Sequence, residues 1–332
     1  MRMRKSLVLL VIGAALLTVL AACASTSGGG EPGACATPDM RAELPDPNLR
    51  AAVAESLGKS DVTCGDLAAI GALRAFDVGV ESLEGLQHAT SLVQLHMQVG
   101  AVSDLSPLED LRLRDLALSG NAITDLSPLR GMTSLEQLRV TNNPDLVDLS
   151  PLAGLPALEL LHVFNTAVTD LSVATELPAM RDLAFRSPLD DHAVITRVPN
   201  LTTLTVYDLP VADLPLLEEI DGLRALSLYG HLGRYEDVSF LARLTQIDEL
   251  ATNKLPQWDD LTVIGGMTNL KVLRLNLNFV SDLTPLLALA DLTTLDVRNN
   301  CLPAAMEDEP TAMALEARGV SIQYLPQRTS GC

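Results

Sequence analysis

Leucines recur along most of this chain with a period of about 22 residues. The frame LxxLxLxxN occurs at residues 113–121, 135–143, 270–278 and 292–300. Its second leucine, with the counterparts in less regular copies, falls at residues 95, 116, 138, 161, 183, 204, 226, 250, 273 and 295, so successive spacings stay between 21 and 24 residues. A sustained period of this length predicts a solenoid in which each unit buries its leucines against its neighbours.

Each unit is predicted to contain one short strand and one tight turn. The leucines of LxL point inward from a parallel strand, and the closing Asn satisfies backbone groups at the turn. A second motif, DLSPL or DLTPL, occurs at residues 104–108, 125–129, 148–152 and 282–286. Its Ser-Pro or Thr-Pro pair predicts a short turn or 3-10 segment on the convex side. Ten rungs spaced by about 4.8 Å would form a sheet roughly 50 Å long.

The two ends of the repeat array have patterns typical of caps. Asp46 followed by Pro47 predicts the start of a helix, and Thr63 with Asp66 resembles a capping box at the start of a second one. Segments 312–317 and 320–324 predict a closing helix and strand. We assign residues 39–82 to a helical N-terminal cap, 83–300 to about ten repeats and 301–332 to a C-terminal cap. A shortened first rung is predicted at Phe76, Val78 and Val80.

The first residues have the pattern of a secretory leader. Basic residues precede the apolar segment 6–19, which is too short for a retained membrane span, and Leu-Ala-Ala-Cys follows at residues 20–23. This ending resembles the lipobox of bacterial lipoproteins. The resemblance implies a signal peptide at residues 1–22, acylation of Cys23, and a lipid-anchored location in the bacterial cell envelope on the extracytoplasmic side. An ordinary leader cleaved after an Ala-x-Ala site is the alternative. The small residues of 23–38 suit a flexible tether.

The repeats and both caps together resemble bacterial leucine-rich-repeat proteins with 22-residue repeats, of the internalin-like kind. The opening segment LPDPNLRAAVAESLGKSDVTCGDLAAIGAL and the closing segment AMALEARGVSIQY contribute to a resemblance that covers about 290 residues. It implies an α/β solenoid: a right-handed superhelix with a parallel concave β-sheet, a helical N-terminal cap and an α/β C-terminal cap. Members are extracellular or surface binding proteins, so the resemblance implies a protein or peptide partner.

The acidic composition excludes one class of partner. The chain has 42 acidic and 23 basic residues, a net charge of −19. Removal of Arg2, Arg4 and Lys5 with the leader would leave −22. Because no segment concentrates Lys or Arg, we expect no binding to nucleic acid and no contact with a membrane except through the N-terminal lipid. The acidity is compatible with solubility alone or with attraction of cationic partners. We expect a monomer.

Four cysteines remain if Cys23 is acylated. They fall outside the repeats as two local pairs, Cys35 with Cys64 and Cys301 with Cys332. Three pairings are formally possible, and we favour the local one because each bridge would fasten one end of the array. A zinc site is the alternative, although no CxxC spacing is present.

The candidate binding residues lie where the strand pattern leaves side chains outside the core. The position after LxL holds Phe164, Arg186, Tyr207 and Tyr229 on neighbouring rungs, and the position inside LxL holds Arg139, His162 and Arg274. Irregular loops add His231, Tyr235 and Trp258. Only 3% of the chain is aromatic, so this concentration predicts a partner-binding patch. The alternative is that these repeats have diverged and the aromatics fill gaps left by missing Asn residues.

Catalytic motifs are missing from the sequence. The five histidines are scattered, and neither HExxH, GxSxG nor a glycine-rich phosphate loop occurs. We therefore predict a binding module without cofactor, metal site or enzymatic activity. A cell-envelope scaffold without a specific ligand is the second hypothesis, and an enzyme without a recognisable motif is the third.

Overall fold

The computed structural model describes residues 35–230, 238–253, 260–303 and 309–327. The chain divides into two compact units, Met1–Asp145 and Leu146–Cys332. Cys23, His231, Tyr235, Trp258 and Cys332 lie outside the described residues, so the predictions made for these five side chains stay predictions.

The first unit contains two helices followed by four parallel strands. The helices are α1 (Pro47–Leu57) and α2 (Cys64–Ala68), and the strands are β1 (Ala72–Phe76), β2 (Gln94–Gln98), β3 (Asp115–Ala117) and β4 (Gln137–Arg139). Register pairs Leu73 with Leu95, Leu95 with Leu116 and Leu116 with Leu138. All four leucines are fully buried, which confirms the predicted inward column.

The first rung differs from the sequence-based expectation. Leu73 and Ala75, rather than Phe76 and Val78, occupy its inward strand positions, and Leu73 pairs with Leu95 at the full 22-residue spacing. Val80 is buried, as predicted. Phe76 pairs with Gln98 and is half exposed. The prediction of a shortened rung was therefore wrong. The small side chain of Ala75 at a core position weakens the hydrophobic pattern of the true strand. The alternating apolar residues from Phe76 onward resemble the pattern of a strand although they do not form one.

The second unit contains eight strands and one helix. The strands are β5 (Leu160–His162), β6 (Asp182–Arg186), β7 (Thr203–Tyr207), β8 (Ala225–Tyr229), β9 (Glu249–Asn253), β10 (Val272–Arg274), β11 (Thr294–Asp296) and β12 (Ser321–Gln323), and the helix α3 (Pro310–Ala317) lies between the last two. Neighbouring strands pair in parallel and in sequence order, so the central leucines form one column from Leu161 to Leu295, which ends against Ile322. The predicted leucine-rich-repeat solenoid is confirmed.

Buried asparagines connect successive turns. Asn143 is fully buried; its Oδ1 accepts from the Ile123 N–H at 3.0 Å, and its Nδ2 donates to the carbonyls of Leu118 at 3.1 Å and Val140 at 2.8 Å. Asn300 makes the equivalent bonds in the second unit. These bonds satisfy buried backbone groups that the turn otherwise leaves without partners. The Ser-Pro and Thr-Pro pairs form 3-10 turns as expected.

The N-terminal cap begins earlier than predicted. Cys35 is disulfide-bonded to Cys64 with a Cα–Cα distance of 5.5 Å, as the sequence suggested. The Gly65 N–H donates to the Pro38 carbonyl at 2.8 Å. Residues 35–38 therefore belong to the folded cap and not to the tether. Cys301 is also disulfide-bonded, and Cys332, its predicted partner, lies outside the described residues.

The predicted starts of α1 and α2 are confirmed. Asp46 caps α1 by accepting the backbone N–H groups of Asn48 and Leu49, and Thr63 and Asp66 form a capping box at α2. None of the helices in the described ranges is long and apolar enough to cross a membrane.

Candidate functional site

The candidate site is formed by side chains that alternate with the buried leucines on β5 to β10. Inward residues of these strands are fully or nearly buried. The residues between them are partly exposed, except Ala184 and Ala251, which are buried. We call the surface formed by these outward side chains the strand-side surface. Because strand residues alternate between two faces, the buried leucines fix which side chains the strand-side surface receives.

Four residues of the strand-side surface form one contiguous group, which we call the aromatic cluster: Phe164, Arg186, Tyr207 and Tyr229. The ring centroids of Phe164 and Tyr207 are 5.0 Å apart, and those of Tyr207 and Tyr229 are 4.9 Å apart. Both pairs are tilted, in the distance range that favours aromatic contacts. All four side chains are half buried, so each contributes contacts within the cluster and also exposes surface to solvent.

Arg186 packs on the Tyr207 ring of the aromatic cluster. Its guanidinium carbon is 5.2 Å from the centroid of the Tyr207 ring, and its Nη1 is 3.1 Å from Asp208 Oδ2. This combines a cation–π contact with an ion pair, which fixes the orientation of the side chain. Burial raises the pKa of the Tyr207 phenol, and the neighbouring Tyr229 acts in the same direction. Tyr207 therefore remains a neutral hydrogen-bonding group at physiological pH.

The sequence analysis missed a strip of small side chains beside the aromatic cluster. Ala184, Thr205, Ser227 and Ala251 pair in register on β6 to β9, at the position inside LxL. Across four rungs this strip extends for roughly 14 Å, at about 4.8 Å per rung. Large residues hold the equivalent positions at His162 on β5 and Arg274 on β10. The small residues could have been found by comparing the interior of LxL between consecutive rungs.

Arg139, His162 and Arg274, the other predicted residues in the described ranges, each pair with an acidic residue on a neighbouring strand. His162 Nε2 is 3.1 Å from Asp182 Oδ1, and Arg274 pairs with Glu249. Arg139, which belongs to the first unit, has its Nη1 3.1 Å from Asp115 Oδ1.

Asp115 is the centre of a polar network in the first unit. Its Oδ2 accepts from Gln94 Nε2 at 2.6 Å and is 2.8 Å from His96 Nε2. Burial acts to raise the pKa of Asp115, but hydrogen bonds from Gln94 and His96 and the nearby charge of Arg139 outweigh it, so the pKa is lowered. Asp115 therefore stays ionised and holds His96 and Arg139 in fixed orientations.

A metal centre is not apparent in the ranges that the structure describes. There, no three His, Cys, Asp or Glu side chains approach one another closely enough to hold a metal ion.

Comparison with known proteins supports the fold assignment. Residues 111–154 match the family model for leucine-rich repeats in two copies. No curated protein sequence matches the chain. An internalin from Listeria monocytogenes has a similar solved structure, with 24% sequence identity, a TM-score of 0.55, and coverage of 87% of this chain and 91% of that one.

A second solved structure shares the fold across a wide evolutionary distance. The mouse RP105/MD-1 complex matches with 15% identity and a TM-score of 0.53, covering 80% of this chain and 48% of that one. At these identities the likeness establishes the fold alone. The matched repeats and the strand register together show that the chain has a leucine-rich-repeat fold, similar to that of a Listeria internalin.

Proposed function

We propose that this protein is a lipid-anchored binding module of the bacterial cell envelope that recognises a protein or peptide partner on the strand-side surface. The aromatic cluster is the observation that carries the proposal. Tyr and Arg are the residue types that most often dominate interface energies, and rings held on paired strands lose little conformational freedom on binding. Contacts among Phe164, Arg186, Tyr207 and Tyr229 arrange this group before a partner arrives.

The surroundings of the aromatic cluster favour an extended segment as ligand. The strip from Ala184 to Ala251 places only small side chains next to the rings, with Thr205 and Ser227 partly exposed and both alanines buried. A length of roughly 14 Å accommodates about four extended residues at 3.3–3.6 Å each. His162 with Asp182 and Arg274 with Glu249 provide a polar rim at the two ends. An aromatic centre with a polar rim is the usual anatomy of a protein interface.

The comparisons add limited support for partner binding. The mouse RP105 structure that shares this fold was solved as a complex with MD-1. His231, Tyr235 and Trp258, which the sequence analysis assigns to the same patch, remain part of the proposal.

The location rests on the N-terminal sequence. We propose that the leader is removed before Cys23 and that acyl chains on this cysteine anchor the protein on the extracytoplasmic side of the membrane. Expression of the full chain and of Cys23→Ser in a bacterial host tests this step. The wild type should appear in the membrane fraction with a lipid mass on its N-terminal peptide, whereas the variant should lack that mass. An unmodified cysteine in the wild type would contradict the proposal.

Partner recognition is tested by quantitative capture from envelope and culture fractions. The wild-type chain is compared with a Tyr207→Ala/Tyr229→Ala double variant and with a control double variant, Val147→Ala/Leu287→Ala. The control removes apolar side chains that are 58% and 41% exposed and lie outside the strands.

We expect the wild type and the control to enrich the same protein, and the tyrosine variant to lose at least about 30-fold in affinity, the result of removing about 2 kcal/mol of interface energy. Equal capture by all three would contradict the binding assignment. It would favour the second hypothesis, a scaffold without a specific ligand.

A further inference from the structure

Three residues outside the aromatic cluster form a linear hydrogen-bonded group, which we call the serine triad: Ser187, His192 and Asp213. Ser187 Oγ is 3.0 Å from His192 Nε2, and His192 Nδ1 is 3.1 Å from Asp213 Oδ2. Ser187 directly follows β6, His192 begins the 3-10 helix His192–Arg197, and Asp213 belongs to the 3-10 helix Val211–Glu219. The His192 side chain is 12% exposed, so the imidazole is largely shielded while still reachable from solvent.

The hydrogen-bond partners determine the roles of the two imidazole nitrogens. An ionised Asp213 can only accept, so Nδ1 of His192 carries the proton and donates it to the carboxylate. Nε2 then presents a lone pair toward the hydroxyl of Ser187, which donates. This is the tautomer and orientation that a histidine needs to act as a general base toward a serine nucleophile.

The other histidines with acidic neighbours lack this arrangement. His96 and His162 each meet an aspartate through Nε2. Within the ranges that the structure describes, His192 is the histidine that joins a carboxylate through one ring nitrogen and a serine hydroxyl through the other. A nucleophile, a base and a group that orients the base, all within hydrogen-bond reach, meet the geometric criterion for covalent catalysis.

We propose that Ser187 is an activated nucleophile that is acylated by carboxylic esters. Ser187 Oγ attacks the ester carbonyl carbon while its proton moves to His192 Nε2. The tetrahedral intermediate collapses with cleavage of the C–O bond to the alcohol, and His192 returns the proton to the departing alkoxide oxygen. Water then attacks the acyl-serine by the same proton route, which releases the carboxylic acid and restores the Ser187 hydroxyl. Asp213 acts as a positioning residue for His192.

Hydrogen bonds to neighbouring turns fix the backbone around Ser187. The Ser187 N–H donates to the Tyr207 carbonyl at 2.9 Å, and the Asp190 N–H donates to the Thr169 carbonyl at 2.9 Å. The Leu189 N–H donates to His192 Nε2 at 3.4 Å, as expected for an unprotonated Nε2 that also accepts from the Ser187 hydroxyl.

The position of the serine triad also indicates the class of substrate. Ser187 directly follows Arg186 of the aromatic cluster in the chain, and its backbone N–H is hydrogen-bonded to the Tyr207 carbonyl. An ester with an apolar or aromatic acyl group could therefore rest on the rings while its carbonyl reaches Ser187. This activity goes beyond partner binding and does not depend on it.

The test uses the purified full chain, a fluorophosphonate probe and p-nitrophenyl acetate. Mass spectrometry of the labelled wild type should locate the phosphonyl adduct on Ser187. Ser187→Ala should abolish labelling and ester hydrolysis, and His192→Gln should lower both rates by about 10²–10⁴-fold. Asp213→Asn should lower the rates and change their pH profile, because His192 then no longer meets a carboxylate.

The control is Ser150→Ala. The Ser150 hydroxyl is exposed and donates to Asp148 Oδ2 at 2.9 Å, with no histidine in this contact. This variant should be labelled like the wild type, and circular dichroism checks that every variant is folded. A wild-type chain without an adduct at Ser187, or with equal labelling of Ser187 and Ser150, would overturn the proposal independently of any variant. Unchanged labelling in a folded His192→Gln variant would do so as well.

Discussion

Replacement of Asn143 by alanine should unfold the first unit locally, because this buried side chain connects two turns. Asn143 is fully buried. Its loss leaves the Ile123 N–H and the Val140 carbonyl without their side-chain partner. The Leu118 carbonyl is less affected, since Asn121 also donates to it at 2.9 Å.

The expected magnitude follows from these two orphaned groups. A buried donor or acceptor left unsatisfied costs about 1–3 kcal/mol, so the variant should lose about 2–6 kcal/mol of unfolding free energy. Asn48→Ala is the control: its side chain makes one exposed hydrogen bond of 2.8 Å, to the Gly79 carbonyl, and its removal should cost at most about 1 kcal/mol.

Urea unfolding followed by circular dichroism measures the free energy, and amide hydrogen exchange locates the effect. We expect a lower midpoint for Asn143→Ala and faster exchange of the Ile123 amide, which has lost its acceptor. An unchanged midpoint together with continued protection of Ile123 would refute the reasoning that the buried asparagines stabilise the turns.

Three further variants test the N-terminal cap and its junction with the repeats. Removing the Cys35–Cys64 bridge, which closes a sequence separation of 29 residues, should cost about 3–4 kcal/mol in urea unfolding; an equal midpoint with and without reductant would contradict this. Burial acts to raise the pKa of Asp46, but hydrogen bonds from four backbone N–H groups outweigh it, so the pKa is lowered in the folded chain. The ionised carboxylate therefore stabilises the fold above about pH 4, and this stabilisation is lost as the pH falls through the folded-state pKa. Acid titrations should therefore show a smaller decline for Asp46→Asn, and identical curves would exclude this linkage. Gly85→Ala should lower the thermal unfolding midpoint more than Gly131→Ala. Both glycines have positive φ, but only at Gly85 would a Cβ collide with neighbouring backbone. Equal decreases in the midpoint would contradict this prediction.

The repeated part of the fold could be predicted from the sequence because its cause is periodic and local. Each inward leucine is fixed by the alternation of its own strand, and stacking repeats that constraint every 22 residues or so. The first rung failed because Ala75 fills a core position with a small side chain. There the packing of neighbouring rungs, rather than local hydrophobicity, determines the register.

The candidate site could be predicted only in part. Alternation placed Phe164, Arg186, Tyr207 and Tyr229 on one surface, but the contact between Phe164 and Tyr207 depends on side-chain directions that the sequence does not specify. The serine triad was not found because Ser187 and Asp213 lie 26 positions apart on irregular segments. The hydrogen bond between His192 and Asp213 depends on how one turn packs on the next, so no local sequence motif indicates it.

The central claim is that the strand-side surface of the second unit contacts the partner. Hydroxyl-radical footprinting of the wild-type chain, alone and with the protein that it captures, tests this claim most directly. The account predicts that oxidation of Phe164, Tyr207 and Tyr229 falls in the complex while oxidation of exposed Val147 and Leu287 stays the same. Protection of Val147 and Leu287 with unchanged oxidation of the three rings would contradict it.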